Sequence, residues 1–204
     1  MHSTALLLAD RSSNDPEGLA DYRARGGYEG LTTALEKGPA WLFEEVATSG
    51  LRGRGGAAFP TIKTWQLAAE ATSDAKYIVA NGGEHEPGSN KDRHLVERHP
   101  HAVIEGLALA GLATGATKGF LYLIEDMDGP RASAEQALRE AEAAGLLPFP
   151  VELHLGPTTY VAGEETVFSC YDLTTVSKSN AEPSRSMLAF YSDSPADGFD
   201  TAAV

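Results

Sequence analysis

An α/β fold, with a Rossmann-like and mostly parallel sheet flanked by helices, is what this 204-residue sequence predicts. Three compact apolar runs have the length and boundaries of buried strands: KYIVA at 76–80, GFLYLIE at 119–125 and VELHL at 151–155. Stretches of helical composition separate them, and alternation of strand and helix implies crossover connections and parallel pairing. Turn residues rich in Gly and Asn follow the first run, at the carboxyl end of a strand, where ligands of such sheets gather.

Each element has its own local reason. Residues 39–49, PAWLFEEVATS, predict a short helix: Leu42 and Val46 are four apart, Pro39 suits a first helical position and Gly50 suits the stop. A glycine cluster then runs to Pro60, after which helical composition resumes around Trp65 and Leu67, so a loop feeds a helix. The strand at 76–80 stops at Asn81-Gly82-Gly83. Residues 100–116 place Val103, Leu107, Ala110 and Gly111 at helical spacing. The apolar stretch 106–117 inside this segment is well short of the roughly 20 residues of a membrane span and reads as a buried helix. RASAEQALREAEAA at 131–144 is strongly helical in composition, with Gly145 as its cap. One domain is expected over residues 1–170. Residues 171–204 carry six serines and no clean period, which predicts a divergent, loosely ordered tail.

Composition excludes several classes of function. Hydrophobic residues at 42% and charged residues at 22% suit a soluble globular chain rather than a disordered chain or a membrane bundle. A net charge of -13 repels phosphate backbones and anionic lipid, so neither nucleic acid nor direct membrane insertion is expected. The single cysteine, Cys170, excludes an intramolecular disulfide and an all-cysteine metal site, so no iron–sulfur cluster is expected on this chain. MHSTALLLAD has no Lys or Arg ahead of its short apolar run, too little for a signal-peptide core, and a cytoplasmic protein is expected.

Two segments offer chemistry. Gly50, Gly53, Gly55 and Gly56 interleaved with Arg52 and Arg54 form a loop whose backbone can approach a ligand closely while two guanidiniums answer phosphate. Residues 52–98 carry seven Lys and Arg against six Asp and Glu, whereas the rest of the chain carries nine against 23, so positive charge collects beside these glycines. The spacing Gly53-x-Gly55-x-x-Ala58 matches a dinucleotide fingerprint but follows a helix instead of a strand, and a merely structural Gly-Arg loop explains it equally. The second segment, residues 81–88, NGGEHEPG, follows the first strand and carries Glu84 and Glu86, acids able to hydrogen-bond a ribose or an amide. A solvated turn with a helix starting near Ser89 is the competing reading. Gly163-Glu164-Glu165 repeats the theme after the third strand, where an ordinary acidic helix start also fits. His85, His94, His99 and His101 do not form a metal set, because Pro100 interrupts the spacing that would bring His94 and His99 onto one face.

Three blocks taken together, GLRGRGGAAFPT at 50–61, NGGEHEPGSNKDR at 81–93 with HPHAVIEGLALAG at 99–111, and YVAGEET at 160–166, resemble the NADH-binding flavoprotein subunit of respiratory complex I. The resemblance extends to the relatives of that subunit in NAD-dependent hydrogenases and formate dehydrogenases, and it covers residues 26–166 in the family's order. It implies a domain that holds FMN and takes hydride from NADH, the electron-input module of an NADH:acceptor oxidoreductase. It also implies an iron–sulfur electron-acceptor subunit as partner. By position, Gly53, Arg54, Gly55, Gly56, Lys63, Asn81, Glu84, Tyr160, Gly163, Glu164 and Glu165 would line the flavin. Phe59 would stack on the NADH adenine, and Glu86 would lie beside the nicotinamide and its ribose. The chain departs from the family at Gly83 and His85, where Asp and Ser are usual, and at Thr64, where the family's lysine falls. Lys63 is displaced by one residue, a turn of about 100° on a helix. A non-catalytic nucleotide-binding or assembly module derived from the same family is the alternative that these departures favour.

Overall fold

The three apolar runs pair in parallel, in the order β1 (Tyr77–Asn81), β2 (Lys118–Ile124) and β3 (Val151–Gly156), in the computed structural model, which describes residues 15–53, 58–72, 75–85 and 87–158. Val79 pairs with Phe120, and Leu121 with Leu153. Every residue of β2 after Lys118 is buried, which explains its unbroken apolar sequence: the middle strand of a parallel sheet is covered on both faces. The expected tail at 171–204 lies outside the described residues.

Seven helices are described: α1 (Leu19–Ala24), α2 (Glu29–Lys37), α3 (Pro39–Ser49), α4 (Thr61–Glu70), α5 (Lys91–Arg98), α6 (Pro100–Thr114) and α7 (Asp128–Ala143). α5 and α6 make the crossover from β1 to β2, and α7 makes the one from β2 to β3. α3 begins and ends where Pro39 and Gly50 predict, with Gly50 in the left-handed region at φ 64°. α6 is the spine. It packs on β1 and β2 and against α2, α3, α4 and α7. A Cβ on Gly111 would stand 2.2 Å from Phe149 Cζ, so only a bare glycine lets that ring, and the sheet behind it, close on the helix.

α1 and α2 carry no strong local signal, and long-range contacts explain them. Tyr28, the N-cap of α2, is a buried non-glycine residue at φ 65°, a conformation that costs about 1–3 kcal/mol unless the surroundings enforce it. Glu105, buried on α6, does so. Its carboxylate accepts the Tyr28 N–H at 2.9 Å, the Leu31 N–H at 3.2 Å and the Tyr22 hydroxyl. Beside it, the Tyr28 hydroxyl shares a 3.0 Å hydrogen bond with His101 Nδ1, and His101 Nε2 lies 3.0 Å from Glu140 on α7. Glu140 also accepts the Leu19 N–H at 3.0 Å, so one polar chain ties α1 and α2 to α6 and α7.

One sequence expectation needs correction. The His94 and His99 rings do meet, with centroids 6.2 Å apart, because the His99 N–H still donates to the Leu95 carbonyl at 2.8 Å. The last hydrogen bond of α5 is therefore made by its C-cap His99, directly before Pro100 opens α6. No group of three or more His, Cys, Asp and Glu able to hold a metal ion occurs among the described residues.

Glu105→Gln keeps the volume but places an amide donor among three donors. An equilibrium urea titration is expected to show a loss of about 1–3 kcal/mol, with the midpoint lowered and the slope kept. An unchanged midpoint would show that α1 and α2 are held by apolar packing alone.

Candidate functional site

The glycine loop has a firm base. Arg52 and Pro60 form an antiparallel bridge, the Gly53 N–H donates to the Phe59 carbonyl at 2.8 Å, and the Thr61 N–H donates to the Leu51 carbonyl at 3.0 Å. Arg52 also reaches across, its guanidinium donating to the Ala58 carbonyl at 3.0 Å, so this arginine serves the loop's own closure. Ala58 adopts φ 52°, a left-handed turn that a residue with a Cβ takes only where neighbours hold it. The segment thus forms a short arch, with Gly53 and Phe59 brought together at its base. Phe59 is 41% exposed, a large aromatic face left to solvent. The tip residues Arg54, Gly55 and Gly56 lie outside the described residues. α4 leaves the arch directly, with Lys63 exposed on its first turn and Trp65 buried in the same core as Ile78 of β1 and Leu123 of β2.

The second cluster stands at the carboxyl end of β1. Asn81 ends the strand, and its Oδ1 accepts the Gly83 N–H at 3.0 Å, which bends the chain off the sheet. The Gly82 N–H continues the ladder to the Tyr122 carbonyl at 2.8 Å. A Cβ on Gly83 would stand 2.7 Å from Tyr122 Cε1, and one on Gly156 would stand 2.0 Å from the Tyr122 hydroxyl oxygen. The Tyr122 ring therefore fills the space between the turn after β1 and the end of β3, stacked on His154 at a centroid distance of 6.1 Å. Sequence reading passed over Tyr122, because its role appears only once three strands lie side by side.

Glu84 is the organising group of this turn. One carboxylate oxygen accepts the Ser89 hydroxyl at 2.6 Å and the Asp92 N–H at 3.1 Å, and the other accepts the Arg93 N–H at 3.2 Å. These donors surround the N-terminus of α5, whose own N-cap, Asn90, makes no side-chain cap. Burial works against the charge of Glu84, but the hydrogen bonds from Ser89 and from the Asp92, Arg93 and Lys91 amides outweigh it and hold the carboxyl below its ordinary value. The turn is therefore a pinned element rather than a solvated one. Arg93, next on α5, donates to the Asp126 carbonyl at 3.1 Å and to its carboxylate at 2.8 Å, joining this turn to the loop that follows β2. Glu86, Tyr160, Gly163, Glu164 and Glu165 lie outside the described residues.

Because Glu84 titrates lower in the folded chain than in the unfolded one, the stability it contributes is complete above its ordinary value of 4.5 and drains away as pH falls through its folded value. Glu84→Gln is expected to lose about 1–3 kcal/mol at pH 7, with the gap to the parent narrowing below about pH 4.5. Chemical denaturation at a series of pH values checks this. A gap that stays constant into acid would contradict the assignment of charge to the cap.

Known proteins share this architecture. The NADP-reducing hydrogenase subunit HndC of Solidesulfovibrio fructosivorans is 40% identical over 172 residues, 79% of this chain and 35% of that protein. The mitochondrial NADH dehydrogenase (ubiquinone) flavoprotein 1 of Dictyostelium discoideum is 38% identical over 154 residues, which is 70% of this chain and 32% of that protein. The chain thus spans about a third of the length of these relatives. An NAD+-reducing NiFe hydrogenase, solved in its air-oxidised state, superposes with a TM-score of 0.64 at 30% identity, over 79% of this chain and 28% of that one. Residues 46–182, which include both clusters, match the Complex1_51K family, and the chain belongs to this family of the Nuo51 FMN-binding domain.

Proposed function

We propose that this chain binds FMN and NAD(H) and acts as the flavin domain through which an NADH:acceptor oxidoreductase takes in electrons. Family membership across residues 46–182 carries the reading, because that range contains every candidate flavin and nucleotide residue. The described residues fit the group. The arch offers backbone around Gly53 and a free aromatic face at Phe59, and the turn after β1 is held in place by Asn81 Oδ1 and the Glu84 carboxylate. Bound FMN supplies hydride acceptance and single-electron release, chemistry that no side chain here possesses.

The protein's part is to bind and to orient. Gly53, Gly55 and Gly56 with Arg54 would receive the anionic end of the flavin, since close backbone and a guanidinium answer phosphate. Lys63, Asn81, Glu84, Tyr160, Gly163, Glu164 and Glu165 complete the proposed flavin site. Glu84 would act there mainly by fixing the turn, because its oxygens already hold Ser89 and the start of α5. Phe59 would stack on the adenine of NADH, and Glu86 would hold the nicotinamide ribose so that hydride has a short, aligned path. An iron–sulfur subunit is the proposed acceptor, and the cytoplasm the proposed site of this electron transport. No described helix is long and apolar enough to cross a membrane.

FMN titration followed by anaerobic addition of NADH tests the proposal. Flavin fluorescence is expected to quench on binding, and the visible flavin band is expected to bleach with NADH. Arg54→Ala combined with Gly55→Val should abolish flavin retention, whereas Glu86→Gln should slow bleaching and leave occupancy intact. Binding without bleaching at millimolar NADH would leave the non-catalytic module as the function. Absence of FMN binding would overturn the flavin reading.

A further inference from the structure

Two glycines make room for one ring. Tyr122 lies on the central strand, paired with Asn81 of β1 on one side and with His154 of β3 on the other, and its ring stacks on His154. A Cβ on Gly83 would stand 2.7 Å from Tyr122 Cε1, and one on Gly156 would overlap the Tyr122 hydroxyl. Neither glycine has a positive φ, so neither backbone requires glycine, and the ring alone demands the bare Cα. Each of them lies two residues beyond the partner of Tyr122 in the sheet. The ring therefore meets the chain where it leaves β1 and again where β3 ends. Tyr122 is fully buried, and close packing on all sides keeps the ring from swinging aside.

We propose that Tyr122 is a positioning residue of the flavin site, its ring the spacer that sets how far the turn after β1 stands from the end of β3. The inference rests on the FMN reading above, which draws flavin residues from both stretches: Asn81 and Glu84 from the first, and those from Tyr160 onward from the chain that follows β3. Tyr122 needs no contact with the ligand. It acts through the two segments that it separates, and its complete burial suits that role. Glu84 ties the turn after β1 to α5, whereas Tyr122 relates the same turn to β3. A rigid aromatic fits the task, because a flexible side chain in its place would leave the gap undetermined.

Exchanging volume between positions 83 and 122 tests this. In the parent background Gly83→Ala is expected to weaken FMN binding about tenfold, because the new methyl and the ring cannot share the space. Combined with Tyr122→Leu or Tyr122→Met, whose side chains yield that space, the same substitution is expected to cost less than about twofold. Tyr122→Met fills more of the core and covers the case in which Tyr122→Leu does not fold. Tyr122→Phe keeps the ring and should bind FMN within about twofold of the parent. The visible circular dichroism of FMN at saturation gives a readout that loss of core packing alone would not move. Its band is expected to change in Tyr122→Leu and Tyr122→Met and to match the parent in Tyr122→Phe. An equal Gly83→Ala penalty in every background would overturn the inference and leave the flavin reading in place. Parent-like affinity and an unaltered band in Tyr122→Leu and Tyr122→Met would do the same. Failure of the parent itself to bind FMN would overturn both.

Discussion

Two oxygens of one buried carboxylate decide the shape of the carboxyl end of β1. Glu84 sits where the chain turns from strand to helix, and it answers donors from Ser89, Asp92 and Arg93, five to nine residues further on. A helix that starts without a capping side chain of its own borrows one from the preceding strand's turn. The negative charge also meets the positive end of the α5 dipole, so capping and electrostatics act in the same direction. With α5 fixed, Arg93 reaches Asp126, and the loops after β1 and β2 are held as one surface. Asn81 inherits its position from this arrangement, and that position underlies the flavin assignment.

The sheet beneath this surface is set by α6. Its glycine face admits Phe149, and its upper face carries Glu105 and His101, the two polar groups around which α1 and α2 assemble. The protein therefore separates two tasks. Apolar packing between α6 and the strands builds the rigid support, and buried polar networks at either side fix turns that packing alone would leave undetermined. Tyr122 belongs to both, since it is a core side chain of the central strand and also the wedge between the ends of β1 and β3.

What could be read from the sequence follows the same division. The three strands were legible because central parallel strands are continuous apolar runs, and α3 was legible because Pro39 and Gly50 mark its ends locally. α7 starts at Asp128, three residues before the expected boundary, because the Gly129-Pro130 pair hides a helical first turn where proline is tolerated. α1 and α2 were illegible, since Tyr28 adopts its left-handed conformation only with Glu105, 77 residues away, to enforce it. At the site, Asn81 and Glu84 stood out as polar residues after a strand, and the arch stood out by its glycines. The commitment of Glu84 to α5 and the orphaned nitrogen of His85 depend on three-dimensional burial that no spacing records.

The central claim is that the turn after β1 and the arch at 50–61 form a flavin site. Hydrogen–deuterium exchange of the ligand-free and FMN-saturated protein tests it directly, because bound ligand slows amide exchange where it contacts or rigidifies backbone. Protection is expected in peptides covering residues 50–61 and 81–90, with little change in α1 and α2. Saturating FMN that leaves both segments unprotected, or that protects only other parts of the chain, would contradict the account.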